Sequence, residues 1–125
     1  MESQANRDPV ALLAANLYVF GERDLEKRRA AVEQTYTDDV RFVDPDGESV
    51  GRQALADRAG ELLDRAPQDA VLEEDSPRYE GPDSAALAWR FGPRGNPVAR
   101  GVDFLTFRDG RVAEVRTLLA GPGEA

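Results

Sequence analysis

The sequence predicts an α+β fold. Two observations carry this: apolar residues recur at helical spacing through three early segments, then alternate at strand spacing through four later ones. A third observation is Asp109-Gly110 between two alternating runs. That pair marks a two-residue hairpin and sets the last strands antiparallel.

The elements follow in order. Asp8 reads as an N-cap and Pro9 as the first helical residue of VALLAANLYVFG. Leu13, Leu17 and Phe20 share one face of this helix, and Gly21 is its stop. Asp24 caps a second helix, LEKRRAAVEQTYT, with Leu25, Val32 and Tyr36 in line. Val40 to Asp44 reads as a short strand, and PDG as a turn. The third helix, RQALADRAGELLDRA, carries Leu55, Ala59, Leu62 and Ala66 and ends at Pro67. AVLEEDSPRYE, SAALAWRFG, PVARGVDFLTF and RVAEVRTLL then alternate as strands, joined by GPDS, GPRGNP and RDGR. The last three form an antiparallel meander. One sheet cannot cover its own apolar face. The helices must pack on it, so the sheet folds around them and leaves a pocket between. The length suits a single domain over 1–125, with a core at about 8–119 and flexible ends at 1–7 and 120–125.

Composition narrows the chemistry. The 125 residues carry a net charge of -8 and include no cysteine and no histidine. A nucleic-acid or anionic-membrane partner needs a basic footprint, which is missing. Disulfides, thiolate catalysis, histidine triads and His- or Cys-ligated metals are excluded. Proton transfer falls to Asp, Glu, Tyr or the single Lys27. The polar start, MESQANRDP, carries no apolar signal core, and no apolar run approaches the roughly 20 residues that span a bilayer. The cytoplasm is the default location. The acidic run Glu73-Glu74-Asp75 reads as a solvated strand end, because successive strand side chains diverge and cannot converge on a metal.

Two acids stand out. In PVARGVDFLTF, Asp103 shares a strand face with Ala99, Gly101, Leu105 and Phe107. A buried ionised acid must pair, accept hydrogen bonds or take up a proton. One reading is an ion pair with Arg90 or Arg116. In RFVDPDG, Asp44 shares the parity of Val40 and Phe42. It reads either as a turn cap on the amides of Asp46 or Gly47, or as a second acid of the pocket. Two carboxylates facing one apolar pocket would have their pKa values pushed apart, which separates acid and base roles. Trp89 alternates with Leu87 and Phe91 and reads as core, dimer interface or pocket wall.

YTDDVRFVDPDGESVGRQAL and GVDFLTFRDGRVAEVRTLL resemble the SnoaL-like and ketosteroid-isomerase-like proteins of the nuclear transport factor 2 superfamily, over roughly residues 8 to 119. The resemblance implies a cone-shaped curved antiparallel sheet wrapped around three N-terminal helices (nuclear transport factor 2-like, a cystatin-like α+β barrel). It also implies a ligand cavity in the mouth of the cone. Asp44 matches the general base of ketosteroid isomerases. Asp103 matches their protonated acid that donates to an oxyanion, a role the isomerases are already known for. Tyr18, on the first helix, matches their tyrosine donor, and Asn16 competes for that place. Gly101 and Thr117 stand where limonene epoxide hydrolase would need an arginine and an aspartate, which disfavours that reaction.

The expected site is therefore Asp44, Asp103 and Tyr18 as catalytic residues, with Asn16, Phe42, Leu55, Leu105 and Trp89 around the ligand. The expected function is cofactor-independent isomerase, cyclase or dehydratase chemistry on a small apolar carbonyl compound, without metal. The alternative is a non-catalytic ligand-binding or dimerisation module of the same fold. The expected partners are that small molecule and a second copy in a homodimer.

Overall fold

The computed structural model describes residues 8–121. The expectations for 1–7 and 122–125 lie outside the described residues. The order is α1 (Pro9–Gly21), α2 (Leu25–Thr35), β1 (Tyr36–Asp44), β2 (Gly47–Val50), α3 (Arg52–Asp64), β3 (Ala70–Glu80), β4 (Ser84–Pro93), β5 (Ala99–Arg108) and β6 (Arg111–Leu119).

The predicted caps form. The Asp8 carboxylate accepts from the Ala11 amide at 2.8 Å, and Asp24 accepts from the Lys27 amide at 3.0 Å. The second helix stops earlier than its apolar line suggested. Thr35, Tyr36 and Thr37 favour extended backbone, and Tyr36 opens β1 instead of closing α2. The expected turn at PDG is the loop of a hairpin. Asp44 pairs with Gly47 in register, so Pro45 and Asp46 alone connect β1 to β2.

One sheet runs in the order β2-β1-β6-β5-β4-β3. The meander from β3 to β6 is antiparallel throughout. The expected all-antiparallel sheet needs one correction: β1 lies parallel to β6, so the sheet is mixed. β1 comes early in the chain and docks beside the last strand of the meander, and the two happen to run the same way. Register irregularities between β1 and β6, β3 and β4, and β5 and β6 bend the sheet. Such bulges sharpen local twist and curvature. The concave face packs on the helices, burying Leu12, Leu13 and Val19 of α1, Val32 of α2 and Leu55 of α3 against Val40, Phe42, Leu87, Leu105 and Val115. No helix among the described residues is long and apolar enough to cross a membrane.

Candidate functional site

β5 alternates cleanly. Gly101, Asp103 and Leu105 are buried, while Arg100, Phe104 and Thr106 are exposed. Asp103 is thus carried inward by the period of the strand, and it is 7% exposed. No arginine among the described residues pairs with it. Arg90 pairs with Glu73 and Asp75, and Arg116 pairs with Glu114.

The reason lies in a register shift. Counting back from the Asp109-Gly110 turn places Arg116 opposite Asp103. The irregularity at Thr106/Phe107 advances the partner by one, so Thr117 sits opposite instead. A one-residue slip exchanges the faces of a strand, and Arg116 accordingly points away.

Among the described residues, three neutral donors hold Asp103. Trp89 Nε1 donates to Oδ1 at 2.9 Å, Thr117 Oγ1 donates to Oδ1 at 2.7 Å, and Asn16 Nδ2 donates to Oδ2 at 2.9 Å. Behind Asn16, the Tyr36 hydroxyl donates to its Oδ1 at 2.6 Å. A carboxylate offers about four acceptor positions. Three are used, so Oδ2 keeps one. Burial pushes the Asp103 pKa up, and the bonds from Thr117, Trp89 and Asn16 oppose that rise. Burial raises Tyr36 well above its ordinary value, and the nearby Asp103 adds to the effect.

Asp44 also reaches the cavity wall, but its carboxylate is filled. Oδ1 accepts from the amides of Asp46 and Gly47 at 3.0 and 3.1 Å. Oδ2 accepts from Arg58 Nε at 3.1 Å and lies 3.0 Å from Arg58 Nη2. Arg58, on α3, also binds Asp46 and Glu61. Burial works against the Arg58 charge, but bonds to Asp44, Glu61 and Asp46 outweigh it, and its pKa is raised. Asp44 is therefore both a turn cap and the anchor of a cavity arginine.

The two acids and Arg58 line one cavity of about 250 Å³. Its walls are mainly apolar: Phe20, Phe42, Leu62, Leu72, Trp89, Phe91 and Leu119. Four expected site residues lie elsewhere or behind the wall. Tyr18 is 49% exposed, hydrogen-bonds Glu22, and lines a separate groove between α1 and β3. It sits two residues after Asn16, about 200° around the helix, so only one of the pair can face inward. Leu55 and Leu105 are fully packed core and leave no surface to a ligand. Asn16 lies under Asp103 and contacts it directly. Sequence reasoning missed Arg58, Tyr36 and Thr117 as site residues. A corrected register would have found Thr117. Tyr36 and Arg58 carried no local signal, because their contacts come from distant elements.

The model of the SnoaL-like domain family matches residues 15–115. The chain belongs to this family. Among solved structures, a protein from Agrobacterium tumefaciens provisionally named an isomerase of the SnoaL-like family superposes with a TM-score of 0.83 at 25% identity, over 90% of this chain and 97% of that one. A Kribbella flavida protein provisionally named a ketosteroid isomerase gives a TM-score of 0.70 at 22% identity, over 98% and 82%. A Jannaschia protein provisionally named a SnoaL-like polyketide cyclase gives 0.70 at 18% identity, over 91% and 90%. The last two show the fold alone. No curated protein matches the chain. The nuclear transport factor 2-like fold expected from the sequence is the fold observed.

Proposed function

We propose that this SnoaL-like protein is a cofactor-independent acid–base enzyme that moves a proton on a small apolar carbonyl compound, with Asp103 as the base. One observation carries this reading: a buried carboxylate in an apolar cavity, held by neutral donors, with no cation among the described residues paired to it and one acceptor position left. A base works best with a pKa near the operating pH, and burial moves Asp103 in that direction. The carbon–hydrogen bond beside the carbonyl breaks, the proton goes to Oδ2, and the electron pair moves onto the carbonyl oxygen as an enolate. Arg58 supplies positive charge on the cavity wall for that developing anion. The proton then returns to the same or another carbon. Isomerisation, aldol-type cyclisation and dehydration all begin this way.

The roles differ from those that the resemblance implied. Asp44 has all four acceptor positions engaged, two of them by Arg58, and so makes a poor free base. Its role here is to orient Arg58. The cavity lies just below the roughly 300–1,000 Å³ of typical ligand pockets, which favours a substrate of one or two rings. The names of the isomerase and cyclase neighbours agree with this class of reaction.

We further propose a homodimer through the convex sheet face. Val102, Phe104 and Leu118 stand together there, cross-strand neighbours on β5 and β6, and Phe104 and Leu118 are about half exposed.

The test is hydrogen exchange. The protein is incubated in deuterated water with cyclic ketones, enones and diketones, and label beside the carbonyl is followed by NMR. Exchange that is lost in Asp103→Asn supports the reading. Ligand binding without exchange would leave a binding module, the reading favoured by the closed Asp44–Arg58 pair.

A further inference from the structure

We propose that Tyr36 is a positioning residue that fixes Asp103 as a proton acceptor by locking the amide of Asn16 between them. The inference deepens the reading of Asp103 as the base and rests on it.

Asn16 and Tyr36 are both sealed from solvent. A phenol has one proton to give, and Tyr36 gives it to Asn16 Oδ1. That leaves Asn16 Nδ2, a donor only, against Asp103 Oδ2. Turning the amide over would set Nδ2 on the phenol and strand the Tyr36 proton. It would also bring Asn16 Oδ1 against Asp103 Oδ2. Two acceptors cannot share a hydrogen bond unless Asp103 carries the proton. The Tyr36 proton therefore selects the amide orientation in which Asp103 can be ionised.

Trp89 Nε1 is likewise a donor only, whereas the Thr117 hydroxyl can donate or accept. Tyr36 is the titratable group facing this network from β1. Asp44, Asp46 and Arg58 are the charged groups that share the cavity from β1, the β1–β2 loop and α3. None of them is hydrogen-bonded or ion-paired to Asp103, so its protonation is set by burial and by the neutral network that opposes it. Removing the Tyr36 hydroxyl should free the amide to turn.

The test follows the Asp103 carboxyl carbon by NMR through a pH titration of the substrate-free protein. In Tyr36→Phe the Asp103 ionisation constant should fall about tenfold, one pKa unit, and the Asn16 amide protons should leave Asp103 as it takes up its proton. In Thr117→Val the pKa should also rise, but the Asn16 protons should stay on Asp103. An unchanged Asp103 pKa in folded Tyr36→Phe would overturn the proposal. If that variant does not fold, the wild-type protein decides: Asn16 amide protons that ignore the Asp103 titration overturn it, and protons that track the titration support it. No step needs a substrate, so a titration as expected with no exchange on any ketone would retire the catalytic reading and leave only the hold of Tyr36 on the ionisation of Asp103.

Discussion

Asp103 is the residue on which the proposed chemistry turns. Its folded pKa lies above the ordinary value of 3.8 because burial penalises the charge. Between that value and the raised one, the folded state holds more protons than the unfolded state. Stability from this residue is fully present below pH 3.8 and falls as pH rises through the window. Urea unfolding of wild type and Asp103→Asn across a pH series checks this. The wild-type advantage should shrink with rising pH and then level off, on top of a constant offset from the altered hydrogen bonds. A difference that grows with pH would contradict the assignment. The inward direction of Asp103 was legible from alternation on its strand. Its neutral partners were not, because a single bulge separates Thr117 from Arg116.

At the scale of elements, the site depends on how β4, β5 and α3 approach one another. Gly101 lies opposite Trp89 in register. A Cβ at Gly101 would meet the Leu118 carbonyl oxygen, and it would stand 2.5 Å from Trp89 Cζ2. Neither neighbour can yield cheaply, since one is backbone and the other is a buried ring. Gly101→Ala should therefore cost about 1–3 kcal/mol and displace the indole from Asp103. Denaturant melts measure the first effect, and the fluorescence of the only tryptophan reports the second. On α3, Arg58→Ala leaves the largely buried Asp44 carboxylate without its cation. The loss should be on the order of 3 kcal/mol, and proton exchange on a ketone should slow even where the protein stays folded. Sequence periodicity placed α3 and the Leu55 and Ala59 part of its buried face, which Leu63 rather than Leu62 completes. It could not place Arg58, since a polar position on a helix becomes a cavity residue only through packing on the β1–β2 hairpin.

Taken as a whole, the molecule is a mixed sheet curved around helices, with a small cavity on the inside and an apolar patch on the outside. Helix caps, the meander and the fold class were readable because each rests on local chemistry: Asp8, Asp24 and the Asp109-Gly110 turn. The parallel pairing of β1 with β6 was not readable, since it joins strands some 70 residues apart without a local signal. Phe104→Glu on the convex face should turn a sedimenting dimer into a monomer while leaving the melting temperature of the fold nearly unchanged. A monomeric wild type would dispose of the dimer.

The central claim is that ionised Asp103 removes a proton from a carbon acid. The most direct measurement is the pH profile of deuterium exchange on a ketone that the protein accepts. Exchange should rise with pH as Asp103 ionises and level off above its raised pKa, with Asp103→Asn flat throughout. A rate that falls as Asp103 ionises would make the neutral acid the active form, a donor to an oxyanion, and would contradict its role as the base.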